Sequence, residues 1–272
     1  MKGKKISLLS VPILLLIAAV TIVGVGYFRS QTLEVEEERF SVGLSEPLTV
    51  AHLSDLHLPK VGVPTDTILK ALKNRSPDFV FLTGDVFDAS MTETSLSTYR
   101  AFFLALSDVA PVYAVIGNHE IGSPLYERYR AYAKSVNMTL LENRSVILRH
   151  GSDDILLCGV KDGALPTTKN LKKTDLPDDK YKLTFLLAHR PENFSYYVEA
   201  GFMYSFCGHA HGGQARLFGQ GLYAPDQGYF PSYTSGVYEK EESVMLVSRG
   251  LGDGNSRFRI FNPYHMLFAT FS

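Results

Sequence analysis

Phe79-Val80-Phe81-Leu82-Thr83-Gly84-Asp85-Val86-Phe87-Asp88 is an apolar run that gives way to a glycine and two carboxylates. A short, continuous apolar run predicts a strand buried on both faces, as in a parallel sheet. Two neighbours share this build. Leu48-Thr49-Val50-Ala51-His52-Leu53 leads into Ser54-Asp55-Leu56-His57, and Val112-Tyr113-Ala114-Val115-Ile116 leads into Gly117-Asn118-His119-Glu120. Helical patterns lie between these strands. Ile68, Leu69 and Leu72 recur at helical spacing before Pro77, and Leu96, Phe102, Phe103 and Leu106 before Pro111; Leu125 to Val136 is a third pattern. Alternating strands and helices predict parallel βαβ units. Upstream, Leu33 and Val35 alternate with acids, which suits an edge strand.

The second half is richer in strands. Val146–Leu148, Ile155–Val160, Leu183–Leu187, Met203–Cys207, Val244–Ser248 and Met266–Phe271 are the candidates. So many strands in one domain predict two packed sheets with helices outside. Gly212 to Tyr238 has no clear periodicity and reads as a long loop. Its six aromatics, among them Phe218, Tyr229 and Phe230, argue against disorder and for a functional segment.

The chain has 272 residues, enough for a sizeable core. Its 45% hydrophobic and 20% charged fractions exclude a disordered tail, a coiled coil and a collagen-like chain. A net charge of −1 gives no nucleic-acid footprint. Cys158 and Cys207 are too few for a disulfide scaffold, and both sit in strand-like runs, which predicts buried free thiols. At the N-terminus, Lys2, Lys4 and Lys5 precede Ile6–Phe28, 23 residues without a charge. That length crosses a bilayer as a helix. No convincing small-x-small site follows it, so it reads as an uncleaved signal anchor. The lysines then stay cytoplasmic and the body faces outward. Residues 1–29 hold four of the 27 basic residues and none of the 28 acidic ones, which leaves the body at −5. Charge alone therefore gives the body no grip on anionic lipid.

Ligands of α/β sheets sit at the carboxyl ends of the strands. Three strands would therefore deliver Asp55, His57, Asp85, Asn118 and His119 to one edge. Two later ones end at His189 and at Gly208-His209-Ala210-His211. Taken singly, such clusters also serve ordinary turns and caps. Their recurrence after one apolar strand after another points to a metal centre. Carboxylate, carboxamide and imidazole donors without thiolate suit zinc, manganese or iron. The donors are too many for one tetrahedral site and fit two metals sharing a bridging carboxylate. Such a pair, about 3.5–4 Å apart, clamps the attacking and leaving oxygens of a phosphoryl displacement.

Together, Asp55-x-His57, Gly84-Asp85-x-x-Asp88, Gly117-Asn118-His119-Glu120, His189 and Gly208-His209-x-His211 resemble the motif set of the calcineurin-like metallophosphoesterases, across residues 48–272. His52–His57, Ala188–Glu192, Gly208–Gln214 and Ser248–Gly252 further resemble a membrane-associated bacterial branch, the YkuE/YaeI-like phosphoesterases. The resemblance implies a four-layer α-β-β-α sandwich of two mixed sheets flanked by helices. An N-terminal transmembrane helix, residues 1–29, would precede a metallophosphoesterase domain, residues 30–272. Two divalent ions per chain are implied, of manganese, zinc or iron. Asp55, His57 and His211 would hold the first, Asn118, His189 and His209 the second, and Asp85 would bridge them. His119 would stand just outside the ligands, stabilising phosphoryl oxygens and protonating the leaving group. The metals would generate a hydroxide that attacks phosphorus in line.

Three further residues keep two readings each. Asp88 could orient a ligand imidazole or cap a helix. Arg190 and Arg249 could bind phosphate, whose oxygens match an arginine fork, or form surface salt bridges. Glu120 reads as a structural acceptor and His52 as a core histidine, while Arg257 and Arg259 lie on or near a strand. The expected function is a membrane-anchored phosphoesterase that cleaves phosphodiester or pyrophosphate bonds outside the cytoplasm, in a substrate that could be amphiphilic or lipid-linked. The alternative implied by related branches is a cytoplasm-facing UDP-diacylglucosamine-type pyrophosphatase of lipid A synthesis. A metal-binding scaffold without turnover is the reading from another class, disfavoured by the full donor set and His119.

Overall fold

The computed structural model describes residues 10–163, 181–254 and 258–272. Lys2, Lys4, Lys5, the first residues of the apolar run and Arg257 lie outside the described residues. After a first helix, α1 (Ser10–Ser30), the chain runs β1 (Leu33–Phe40), β2 (Leu48–Leu53), α2 (Thr65–Arg75), β3 (Phe79–Thr83), α3 (Glu93–Thr98), α4 (Arg100–Val109), β4 (Val112–Val115), α5 (Asn118–Gly122), α6 (Tyr126–Ser135) and β5 (Met138–Leu140). It continues as β6 (Arg144–His150), β7 (Asp153–Gly159), β8 (Leu183–Leu187), α7 (Phe194–Glu199) and β9 (Tyr204–Cys207). Four two-residue strands follow: β10 (Arg216–Leu217), β11 (Gln220–Gly221), β12 (Tyr223–Ala224) and β13 (Gly228–Tyr229). The chain closes with β14 (Gly236–Lys240), β15 (Ser243–Val247) and β16 (Tyr264–Phe271).

Two six-stranded mixed sheets result. The first has the order β1-β16-β2-β3-β4-β5, and β16 enters between β1 and β2, parallel to one and antiparallel to the other. The second has the order β14-β15-β9-β8-β7-β6, with antiparallel pairs only at its two edges. Strand alternation sends successive side chains to opposite faces, and this sets the layers. Ala51, Val80 and Leu82 meet Leu72 of α2, Phe103 of α4 and Tyr129 of α6. Val50, Phe79 and Phe81 turn the other way, onto Leu157, Phe185 and Phe206 of the second sheet. Leu156, Leu186 and Cys207 face away again, against Phe194 and Tyr197 of α7.

The structure departs from the expected pattern in three places. The helical stretch before Pro111 splits at Tyr99, because Thr92 caps α3 and Tyr99 leaves helical geometry at φ −93°, ψ 6°. The long aromatic loop contains two short antiparallel ladders, β10–β11 and β12–β13. The Gly117-Asn118-His119-Glu120 motif opens a one-turn helix, α5. Cys158 and Cys207 are free and buried, and burial pushes the Cys158 thiol up to about 12. Within α1, Val11–Ser30 has a mean hydropathy of 2.4 and is 6% buried, a length and composition that a membrane span and a signal sequence share.

Candidate metal centre

The polar clusters meet at the carboxyl ends of β2, β3, β8 and β9, with α5 beside them. Asp55, His57, Asp85, His209 and His211 all have left-handed backbone, at φ 50°, 46°, 50°, 64° and 47°. Side chains with a Cβ avoid this region, at a cost of about 1–3 kcal/mol each, so the surrounding structure must hold them there. It does so by joining neighbouring loops: Asp55 N–H donates to Gly84 O at 3.1 Å and His57 N–H to Asp85 O at 2.9 Å. The close approach leaves room only for glycine at several positions. A Cβ on Gly208 would collide with Ser54 Oγ and the Asp55 carboxylate, and one on Gly117 with the Asp85 carboxylate. Gly208→Ala is therefore expected to displace Asp55 and lower the bound metal per chain, measured by elemental analysis. Unchanged metal content would show that the loop yields without cost.

The donors form two groups. In the first, His57 Nε2 lies 3.1 Å from His211 Nε2, and Asp55 Oδ1 lies 3.6 Å from His211 Nε2 and 3.9 Å from His57 Nε2. In the second, His189 Nε2 lies 3.1 Å from His209 Nδ1 and 3.2 Å from Asn118 Oδ1. Asp85 Oδ2 stands between the groups, 3.6 Å from His57 Nε2 and 3.3 Å from His189 Nε2. Its other oxygen, Oδ1, accepts the His119 N–H at 2.9 Å. Ligands bound at about 2.0–2.2 Å in tetrahedral or octahedral geometry stand about 3.0–3.5 Å from one another. Most of the observed spacings fall in or close to that range. Asp55, His57 and His211 form one group able to hold a metal ion, and Asp85, His189 and His209 another.

The electrostatics favour a cation as well. Burial lowers His57 to about 3 and His209 to about 4, and pushes His211 well below its usual range, so their imidazoles are neutral with lone pairs available. Burial also raises Asp55. Burial disfavours charge on Asp85 and on His189, but their mutual attraction outweighs it, holding Asp85 down and His189 up. Two buried carboxylates facing mostly neutral imidazoles form a negative site that a bound cation would neutralise. Outer contacts orient the rings. His189 Nδ1 lies 2.7 Å from Thr83 O, which leaves Nε2 facing the other donors. His209 Nε2 lies 2.9 Å from Asp226 Oδ2, which leaves Nδ1.

The remaining candidates separate. His119 lines the cleft over the donors, a space of about 620 Å³ that Tyr223, Asp226 and Tyr229 also line. Ala89 N–H donates to His119 Nδ1 at 3.2 Å, so the neutral ring carries its proton on Nε2. Glu120 is buried and accepts three backbone N–H groups, from Asp85, Gly117 and Phe87, tying the β3 and β4 loops together. Its carboxyl is raised to about 8 by burial and by Asp85. Asp88 does not cap α3, a place taken by Thr92. It accepts from Lys60 Nζ at 2.8 Å and from Ser90, and lies 3.6 Å from His119 Nδ1. Arg190 donates to Asp162, Glu192 and Asp226, so carboxylates already occupy its fork. Arg249 is not at the cleft. It is buried against β1, with Glu34 at 3.0 Å, Glu36 at 3.6 Å and Ser235 Oγ at 3.0 Å. Arg249→Met is expected to cost about 1.5–3 kcal/mol in urea unfolding and to leave the KM for a phosphodiester unchanged. A raised KM with intact stability would return Arg249 to the substrate. His52 is a core histidine, with Nε2 2.8 Å from Thr83 Oγ1. Sequence reasoning missed Asp226, since nothing in Ala224-Pro225-Asp226-Gln227 marks it locally, and gave Arg259 no place beside His211, 3.4 Å from its Nδ1.

A family model described as calcineurin-like phosphoesterase matches residues 48–218, more than half of the chain. Phosphodiesterase YaeI of Escherichia coli K12 is 27% identical over 217 residues, covering 76% of each chain. The metallophosphoesterase YkoQ of Bacillus subtilis 168 is 23% identical, covering 78% of this chain and 79% of its own length. Among solved structures, TT1561 of Thermus thermophilus overlays with a TM-score of 0.51 at 14% identity, over 76% of this chain and 92% of its own. The NAD nucleotidase NadN of Haemophilus influenzae reaches 0.52 at 11% identity, over 76% of this chain and 51% of its own. At such identities the two structures speak for the fold.

Proposed function

This chain belongs to the calcineurin-like phosphoesterase family and is a metal-dependent phosphoester hydrolase, and on that premise we propose that it cleaves phosphodiester or pyrophosphate bonds at a centre of two divalent ions. The observation that carries the reading is Asp85 Oδ2, placed between two groups of donors while Oδ1 is tied to the His119 backbone. Asp55, His57 and His211 would hold one ion, Asn118, His189 and His209 the other, and Asp85 both. Bound there, the ions supply Lewis acidity for an attacking water and for the phosphoryl oxygens. His119 would present Nε2–H to the cleft and, when both its nitrogens carry protons, give that proton to the leaving oxygen and be left as a neutral ring. Asp226 holds the His209 ring so that Nδ1 faces inward, and Arg190 holds Asp226. The name of the Escherichia coli relative supports a diester over a monoester. The test is hydrolysis of an aryl phosphodiester by the full chain in detergent with Mn²⁺. Turnover that chelation stops and Mn²⁺ restores is expected. Metal binding with no turnover of any phosphoester would leave a scaffold.

We further propose that residues 1–29 anchor residues 30–272 to a membrane, with the body outside the cytoplasm. The support is the uncharged run behind Lys2, Lys4 and Lys5, and the almost fully exposed α1. Protease added to spheroplasts is expected to digest the body. Digestion only after lysis would reverse the orientation and favour a cytoplasmic nucleotide-linked substrate.

A further inference from the structure

Among the described residues outside α1, the three most exposed large apolar side chains are Phe218, Tyr229 and Phe230, at 100%, 80% and 72%. All three belong to the segment of the β10–β11 and β12–β13 ladders. The ladders form one unit: Leu222 N–H donates to Ala215 O at 2.9 Å, and Phe230 N–H to Leu222 O at 3.0 Å. Tyr223 and Tyr229 pack edge to face at 5.4 Å and line the cleft. Soluble surfaces rarely cluster bare aromatics in this way without a partner.

The same unit is fastened to the end of α1. Arg216 N–H donates to Ile260 O at 2.9 Å, and Ile260 N–H to Gln214 O at 3.3 Å. The next residues grip the helix: Phe261 N–H donates to Gly26 O at 3.0 Å, and Asn262 N–H to Ser30 Oγ at 2.9 Å. The fit is close, since a Cβ on Gly26 would stand 2.6 Å from Ile260 Cγ2 and 2.8 Å from the Phe261 ring. Asn262 Nδ2 also donates to His211 O at 2.7 Å, which links this strip to the metal centre. The apolar helix, the bare aromatics and the cleft are thus joined by a few residues. Tyrosine rings are at home in the headgroup region of a bilayer, and exposed phenylalanine rings bury at its boundary with the acyl chains. The body carries −5, and Arg216 turns its guanidinium inward onto Gly212 O and Gly219 O, so contact with lipid would be apolar rather than electrostatic.

We propose that the β10–β13 ladders sit in the surface of the bilayer that α1 spans and present the cleft to the phosphoester of a membrane lipid. This rests on the anchored-phosphoesterase reading above. The chain has no tryptophan, so Phe218→Trp makes a single reporter in the full-length protein. Ile147→Trp, on the exposed face of β6 at the edge of the second sheet opposite β14, is the control. In phosphatidylcholine vesicles the 218 reporter is expected to emit to the blue and be quenched by nitroxide on the upper acyl chain, and the 147 reporter is not. Water-like, unquenched emission from 218 overturns the proposal. The double variant Phe218→Ser, Phe230→Ser should keep wild-type rates on a soluble aryl phosphodiester. Its rate on a lipid phosphodiester in those vesicles should fall about tenfold, the scale of one buried aromatic side chain. Equal lipid rates, or equal losses on both substrates, overturn it. If the wild type hydrolyses neither substrate, the enzymatic reading fails, and the fluorescence still decides whether the ladders meet the membrane.

Discussion

Asp85→Asn is expected to retain at most one weakly held ion per chain and to lose about 10³-fold or more of the phosphodiesterase rate. The rate estimate follows from the several kcal/mol a metal contributes to the transition state, at about 1.4 kcal/mol per factor of ten. The structural reason is the position of Oδ2, 3.6 Å from His57 Nε2 and 3.3 Å from His189 Nε2. A carboxamide there would keep the volume but lose the charge that both imidazole groups face. The carboxamide oxygen could still accept the His119 N–H, so the fold should survive. Circular dichroism and elemental analysis on the same sample separate folding from metal loss. Two tightly held ions at full activity would remove Asp85 from the shared position.

His119→Ala should behave differently. Its side chain lines the cleft, with Nδ1 engaged by Ala89 N–H and Nε2 3.9 Å from Asp85 Oδ2. The metal content should therefore stay at the wild-type level while the rate falls by about 10²–10⁴, the usual contribution of one general acid. The loss should be smaller for a nitrophenolate leaving group, which needs little protonation, than for an alkyl alcohol. An equal loss for both would make His119 an electrostatic stabiliser of the phosphoryl oxygens. Loss of the ions would sink both roles.

The strands were legible because burial on both faces strips them of polar residues. Phe79–Leu82 and Phe185–Leu187 are continuous apolar runs in the sequence and fully inside the sandwich in the structure. The polar clusters were legible because each follows such a run directly, which places it at the same sheet edge. Contacts that cross the chain were not. Arg249 lies in a motif-like Ser-Arg-Gly stretch, yet its partners Glu34 and Glu36 stand on β1, more than two hundred residues earlier. β16 brings them together by entering beside β1, a choice of register that no local pattern records. Asp226 was hidden for the same reason, since its value comes from His209 and Arg190 in space. The short ladders escaped because two-residue strands have no period to read. Asp88 and Arg190 stand beside the site by way of contacts the sequence does not record, with Lys60 and His119 for the one and with Asp162 and Asp226 for the other.

The central claim is that turnover depends on two ions held around Asp85. Its most direct test is to strip the full-length chain of metal and titrate it with Mn²⁺ while following hydrolysis of an aryl phosphodiester. The account predicts no turnover in the stripped protein and a rate that saturates at two equivalents per chain. Turnover without metal, or a rate that reaches its maximum at one equivalent and gains nothing from the second, would contradict it.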